Sequence, residues 1–77
     1  MRVILADDAP LVRTGIARLL EDAGFEVVAQ LDDAEELAAC VVGHRPDVVV
    51  TDIRMPPTHT TEGLQAALEI RRRFPEV

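Results

Sequence analysis

An α/β fold of order β-α-β-α-β-α, its three strands parallel and arranged 2-1-3, is what this chain predicts. Two apolar runs without polar alternation, Arg2–Ala6 (RVILA) and Asp47–Thr51 (DVVVT), suit strands covered on both faces of a parallel sheet. Each run ends in aspartate, Asp7-Asp8 after the first and Asp52 after the third. The segments between alternate helical periodicity with strand-like stretches, and right-handed crossovers then set the strand order. In open α/β sheets the chemistry sits just outside the carboxyl ends of the strands, so these aspartates should meet at one rim.

The first strand, Arg2–Ala6, starts almost at the terminus and is closed by Asp7 and Asp8. Pro10 is tolerated in a first helical turn, where its missing N–H has no partner, and Asp8 is placed to cap that turn. In helix one Val12, Ile16, Leu19, Leu20 and Ala23 recur at helical spacing, with Arg13, Arg18 and Glu21 on the other side; Gly24 supplies a left-handed stop. Phe25–Leu31 (FEVVAQL) is the second strand, and its polar Glu26 and Gln30 put it at a sheet edge. Asp32-Asp33 should cap a helix from about Ala34 to Gly43, carrying Ala34, Leu37, Ala38 and Val41 inward and Glu35 and Glu36 outward, with Gly43 and Pro46 as its stop. After the third strand a loop rich in Pro, Thr and His runs from Ile53 to Glu62. The last helix begins near Gly63, with Leu64, Ala67, Leu68 and Phe74 on its inner side. Arg71–Arg73 form a solvated last turn, and Pro75 prevents further winding.

Composition narrows the function classes. A chain of 77 residues buries only about 60% of the surface its unfolded state exposes, so stability should be marginal. With no Trp or Tyr and only two Phe, the core must be aliphatic. A net charge of −6 argues against a surface that grips nucleic acid, which needs clustered cations. All eight basic residues are Arg. Cys40, the one cysteine, forms no internal disulfide and reads as a small buried hydrophobe on helix two. Neither a signal peptide nor an apolar run of membrane-spanning length is present, so a reducing cytoplasm and no membrane contact are expected.

Carboxylates within about 4 Å repel by about 1 kcal/mol in water and about 4 kcal/mol at an effective dielectric of 20, so three at one rim need a reason. A hard divalent cation is the simplest, and Mg²⁺ takes one or two carboxylates, waters and phosphate oxygens. Asp8 and Asp52 are the candidate direct ligands and Asp7 a water-bridged acid, with Asp52 also a candidate nucleophile toward a phosphoryl group. Helix capping alone would account for Asp8 but not for Asp7.

ILADD followed by PLVR, and then PDVVVTDIRMP, resemble a response-regulator receiver domain of the LuxR/NarL-type subfamily. The resemblance covers the whole chain, and the acidic pair, the strand-ending Asp and the Met-Pro after it all fall at family spacing. It implies a flavodoxin-like fold, with Asp52 as the phosphoacceptor and Mg²⁺ held by Asp8, Asp52 and the backbone carbonyl of Arg54, assisted by Asp7. It implies a sensor histidine kinase as phosphodonor in a two-component system whose output is transcriptional. Met55-Pro56 should turn the chain away beneath Asp52. The loop PPTHTTEGL departs from the common pattern by delaying Gly63, and His59 within it, like His44, is expected in solvent.

A complete receiver would continue with two more strands and helices, including a Ser or Thr ending strand four and a Lys ending strand five. This chain has no lysine, and Thr51 and Thr58 do not stand at the family position. The expected extent is therefore a truncated receiver over residues 1–77, with DNA contact left to an output domain outside it. An unpaired third-strand edge and an apolar face of helix one left open would favour a homodimer, through edge pairing or segment exchange. The alternative function is a non-phosphorylated dimerisation or interaction module. An Asp-nucleophile phosphatase or phosphotransferase, which would make the chain an enzyme, needs a second acid two residues on, where Arg54 stands. No glycine-rich nucleotide loop or zinc spacing is present.

Overall fold

Residues Met1–Val77 are described by a computed structural model. The elements are β1 (Arg2–Ala6), α1 (Pro10–Asp22), β2 (Glu26–Leu31), α2 (Leu37–His44), β3 (Val48–Thr51) and α3 (Glu62–Arg73). The strands form one parallel sheet in the order β2-β1-β3. Because the crossover from β1 goes to one neighbour and that from β2 returns past β1 to the other, right-handed connections put α1 on one face and α2 on the opposite one. The packing follows: α1 lies against β1 and β2, while α2 and α3 pack on each other and on the strands. No helix is long and apolar enough to cross a membrane.

β1 is the covered strand. Val3, Ile4, Leu5 and Ala6 are all at most 1% exposed. Alternation sends Ile4 and Ala6 to the α2–α3 side, where they cluster with Leu37, Val41, Met55 and Ile70. The apolar run of β3 was expected to be covered on both faces, but all four of its residues are half-buried because β3 lies at the sheet edge. An unbroken valine run is satisfied here by two half-covered faces. β2 occupies the other edge, as its polar residues implied.

Several helix details correct the sequence reading. α2 starts at Leu37 rather than Ala34, because Asp33 Oδ1 accepts the Glu35 N–H at 3.0 Å and holds Asp33–Glu36 in a turn. It runs through Gly43 to His44, and Arg45 takes the left-handed conformation (φ 49°) with its N–H on the Val41 carbonyl at 2.9 Å. Pro46 disfavours a helical Arg45, so the stop falls there rather than at Gly43. Gly24 does adopt positive φ, 95°, after α1. Cys40 is half-buried on α2.

On α1 the buried stripe is narrower than the sequence pattern. Ala17 is buried and Ile16 and Leu20 are half-buried, whereas Val12 and Leu19 are 51% and 70% exposed. A three-stranded sheet offers the helix too little width to cover both edges of its apolar face. On α3 the phase differs: Gly63 and Ile70 are buried, with Ala66 and Phe74 packed against the core, while Leu64 and Leu68 are exposed. Leu64, Ala67 and Leu68 make an equally plausible stripe in sequence. The close approach of Gly63 to the sheet decides between them.

Candidate functional site

The sheet itself brings the acids together. Ala6 and Thr51 are register partners, so the residues that follow them, Asp7 and Asp52, leave the sheet side by side. Both remain tied to it: the Asp7 N–H bonds the Leu31 carbonyl at 3.0 Å and the Asp52 N–H bonds the Ala6 carbonyl at 2.9 Å. Asp8 turns back over the same rim. One oxygen each from Asp7, Asp8 and Asp52 lies within 4.8 Å of the other two, about the spacing of adjacent strands.

Each of the three carboxylates has one oxygen held by a donor of the protein. Asp7, only 9% exposed, accepts the Ala9 N–H on Oδ1 at 2.9 Å. Asp52 Oδ1 lies 3.4 Å from the Arg54 N–H, a long contact. Asp8 Oδ2 receives the imidazole Nε2 of His59 at 2.7 Å. The second oxygen of each has no protein donor. The turn before α1 thus belongs to Asp7, not Asp8; the N-cap residue is Ala9, and no side chain caps the helix. Asp7 gains a further fixture from Arg13, whose Nη1 donates to its carbonyl at 2.7 Å.

His59 is solvent-exposed in its loop, as expected, at 55% of its side chain, but it also makes a contact that the sequence did not foresee, reaching an acid 51 residues earlier. The loop that carries it is organised by Glu62. Its carboxylate accepts the N–H groups of Thr58 at 2.8 Å and Thr60 at 3.0 Å, together with the Thr58 hydroxyl. These donors, the Thr58 hydroxyl first, hold the Glu62 carboxyl down to about 2, so the anchor stays ionised well into acid. Within that loop His59 adopts φ 56° and places its N–H on the Met55 carbonyl at 2.9 Å. Met55 is fully buried beneath it. Nothing local in the sequence announces the pairing of His59 with Asp8, since it depends on how the β3–α3 loop folds back over the β1–α1 turn.

Other sequence candidates stand apart. His44 is exposed at the end of α2, and its carbonyl accepts the Arg2 guanidinium. Arg71–Arg73 are exposed at the end of α3, where Arg72 binds Glu69 and Arg71 binds the carbonyls of Pro75 and Val77. Thr51 Oγ1 donates to the Asp52 carbonyl at 3.0 Å, away from the carboxylate.

An all-oxygen set of three close carboxylates suits a hard divalent ion such as Mg²⁺ and does not suit the softer metals that favour thiolate or imidazole sets. The arrangement provides charge for a cation and, in Asp52, an exposed carboxylate at the rim.

Comparison with known proteins identifies the family. The profile of the response regulator receiver domain matches residues 3–77. The oxygen regulatory protein NreC of Staphylococcus epidermidis is 42% identical over 77 residues, which are 99% of this chain and 34% of that protein. A protein-glutamate methylesterase/protein-glutamine glutaminase of Haloarcula marismortui is 40% identical over 75 residues, 97% of this chain but 20% of its own length. Among solved structures, the isolated REC domain of RcsB from Salmonella enterica serovar Typhimurium, in the presence of the phosphomimetic BeF₃⁻, superimposes with a TM-score of 0.86. It is 34% identical and covers 99% of this chain and 56% of that one. The chain thus spans about a third or less of the length of these two curated relatives.

Proposed function

This chain belongs to the response regulator receiver family, of the NarL/LuxR type, and we propose that it is the amino-terminal part of a receiver whose phosphoacceptor is Asp52. The observation that carries this reading is the meeting of Asp7, Asp8 and Asp52 within 4.8 Å at the carboxyl ends of β1 and β3. Partial extent is supported by the 56% coverage of an isolated receiver domain. Asp8 and Asp52 would hold Mg²⁺ with the Arg54 carbonyl, and Asp7 would act through a bridging water. When bound, Mg²⁺ neutralises charge on the carboxylates and on the phosphoryl oxygens.

In the proposed transfer a sensor histidine kinase supplies the phosphoryl group from a phosphohistidine. A carboxylate oxygen of Asp52 attacks phosphorus, the P–N bond breaks as the P–O bond forms, and the freed imidazole nitrogen takes up a proton. The product is an aspartyl phosphate. The chain's own share is to present an exposed carboxylate, oriented by the Arg54 N–H and by a backbone pinned to Ala6. Cytoplasmic location and a transcriptional output carried by another domain belong to the same reading.

The test is labelling with radioactive acetyl phosphate and Mg²⁺. Label labile to alkali and to hydroxylamine, as an acyl phosphate is, should appear on the wild-type chain and vanish in Asp52→Ala; label persisting in that variant would remove Asp52 from the role.

One observation favours a second activity. β3 is an edge strand paired only with β1, and beside it lies an open, mostly apolar groove between Val49, Ala67 and Ile70. We propose that in the 77-residue chain two β3 edges pair about a two-fold axis, giving a homodimer that needs no phosphorylation. Light scattering should report twice the chain mass at micromolar concentration; a monomer that unfolds cooperatively would refute the pairing.

A further inference from the structure

We infer that His59 is a positioning residue of the acidic site, holding the Asp8 carboxylate through its Nε2–H so that the opposite oxygen is presented to the cation; this rests on the reading that Mg²⁺ binds at Asp8 and Asp52. Three observations support it. The first is the contact itself, 2.7 Å between His59 Nε2 and Asp8 Oδ2 across 51 residues of sequence. The second is the pattern it completes. Asp7 and Asp52 each have one oxygen turned to a backbone N–H, from Ala9 and Arg54. Asp8 has no such backbone donor, and His59 supplies the equivalent bond from a side chain. The third is that the loop is built to deliver it: Glu62 gathers the Thr58 and Thr60 N–H groups on either side of His59. Its own N–H is fixed on the carbonyl of buried Met55.

The alternative role, imidazole as a direct ligand, fits less well. The acids close their triangle of ligand atoms without His59. A hard cation that already has carboxylates and water gains little from an imidazole. Donors that hold a metal-ligating side chain from outside fix its orientation, and their loss typically weakens metal binding by about 10- to 100-fold.

The experiment is calorimetric titration of the chain with MgCl₂, for wild type, His59→Gly, His59→Gln and Asp52→Asn. Glycine is chosen because φ at this position is 56°, which glycine accepts without strain. His59→Gly should raise the Mg²⁺ dissociation constant by about tenfold, and His59→Gln, whose amide N–H reaches a similar distance, should recover most of the loss. Unchanged or tighter binding by His59→Gly overturns the inference while leaving the Mg²⁺ site intact. Equal weakening in the Gly and Gln variants overturns it too, because a bond that needs only an N–H donor at this reach should return with the amide. If wild type takes up no Mg²⁺ that Asp52→Asn abolishes, the underlying site reading fails, and the role of His59 fails with it. Urea midpoints of the variants separate a loss of binding from a loss of fold.

Discussion

Gly63→Ala should destabilise the chain by about 2–3 kcal/mol, although alanine is the better helix former. At this first turn of α3 a Cβ would lie 1.6 Å from the Asp52 carbonyl oxygen and 2.8 Å from its carbonyl carbon. Intrinsic propensity favours alanine by about 0.5–1 kcal/mol in a helix interior, and less in a first turn. That gain cannot offset an overlap with backbone that neither a rotamer change nor a flexible side chain can relieve. The Gly63 N–H also bonds the Ile53 carbonyl at 2.9 Å, so moving α3 away breaks a bond that frames the site. The variant should show a lower urea midpoint by circular dichroism and, in whatever fraction stays folded, an altered Asp52 environment. In a domain this small such a loss removes a large part of the total stability. A midpoint equal to wild type would mean that α3 does not approach β3 as described.

Much of this architecture was legible in the sequence, and the physical reasons differ by element. β1 announced itself because it is buried along almost its whole length, and burial permits only apolar side chains there. The meeting of Asp7 and Asp52 followed from topology alone, since in a parallel sheet residues after paired strands emerge together. Helix boundaries were less legible where a side chain competes for backbone N–H groups. Asp33 looked like a cap for Ala34 onward, but its carboxylate closes a separate turn and delays α2 to Leu37. The same competition gave the turn before α1 to Asp7, and the cap expected of Asp8 is not made. His59 was illegible for another reason: its partner is remote in sequence, and the loop conformation that joins them is set by Glu62, whose acceptor role has no periodic signature.

Met55→Ala should cost about 2–5 kcal/mol, as much as a mutation in the middle of the sheet, although Met55 belongs to no helix or strand. Its side chain is fully buried in the cluster formed by Ile4, Ala6, Leu37, Val41 and Ile70. Truncation would leave a cavity bounded by β1, α2 and α3, three elements tied to the sheet or to each other, so collapse around the void should be limited. Met55→Leu keeps the volume and should cost less than about 1.5 kcal/mol. Leu68→Ala, at a position 61% exposed, should lie within about 0.5 kcal/mol of wild type and serves as the control. The consequence for the site is separable from stability. The Met55 carbonyl receives the His59 N–H, so a loop that loses its apolar anchor should also lose the register that brings the imidazole to Asp8. Below the unfolding transition, Met55→Ala should therefore show a His59 ring resonance displaced toward that of a free imidazole, and Met55→Leu should not. Equal midpoints for Met55→Ala and Leu68→Ala would show that the loop is not part of the core.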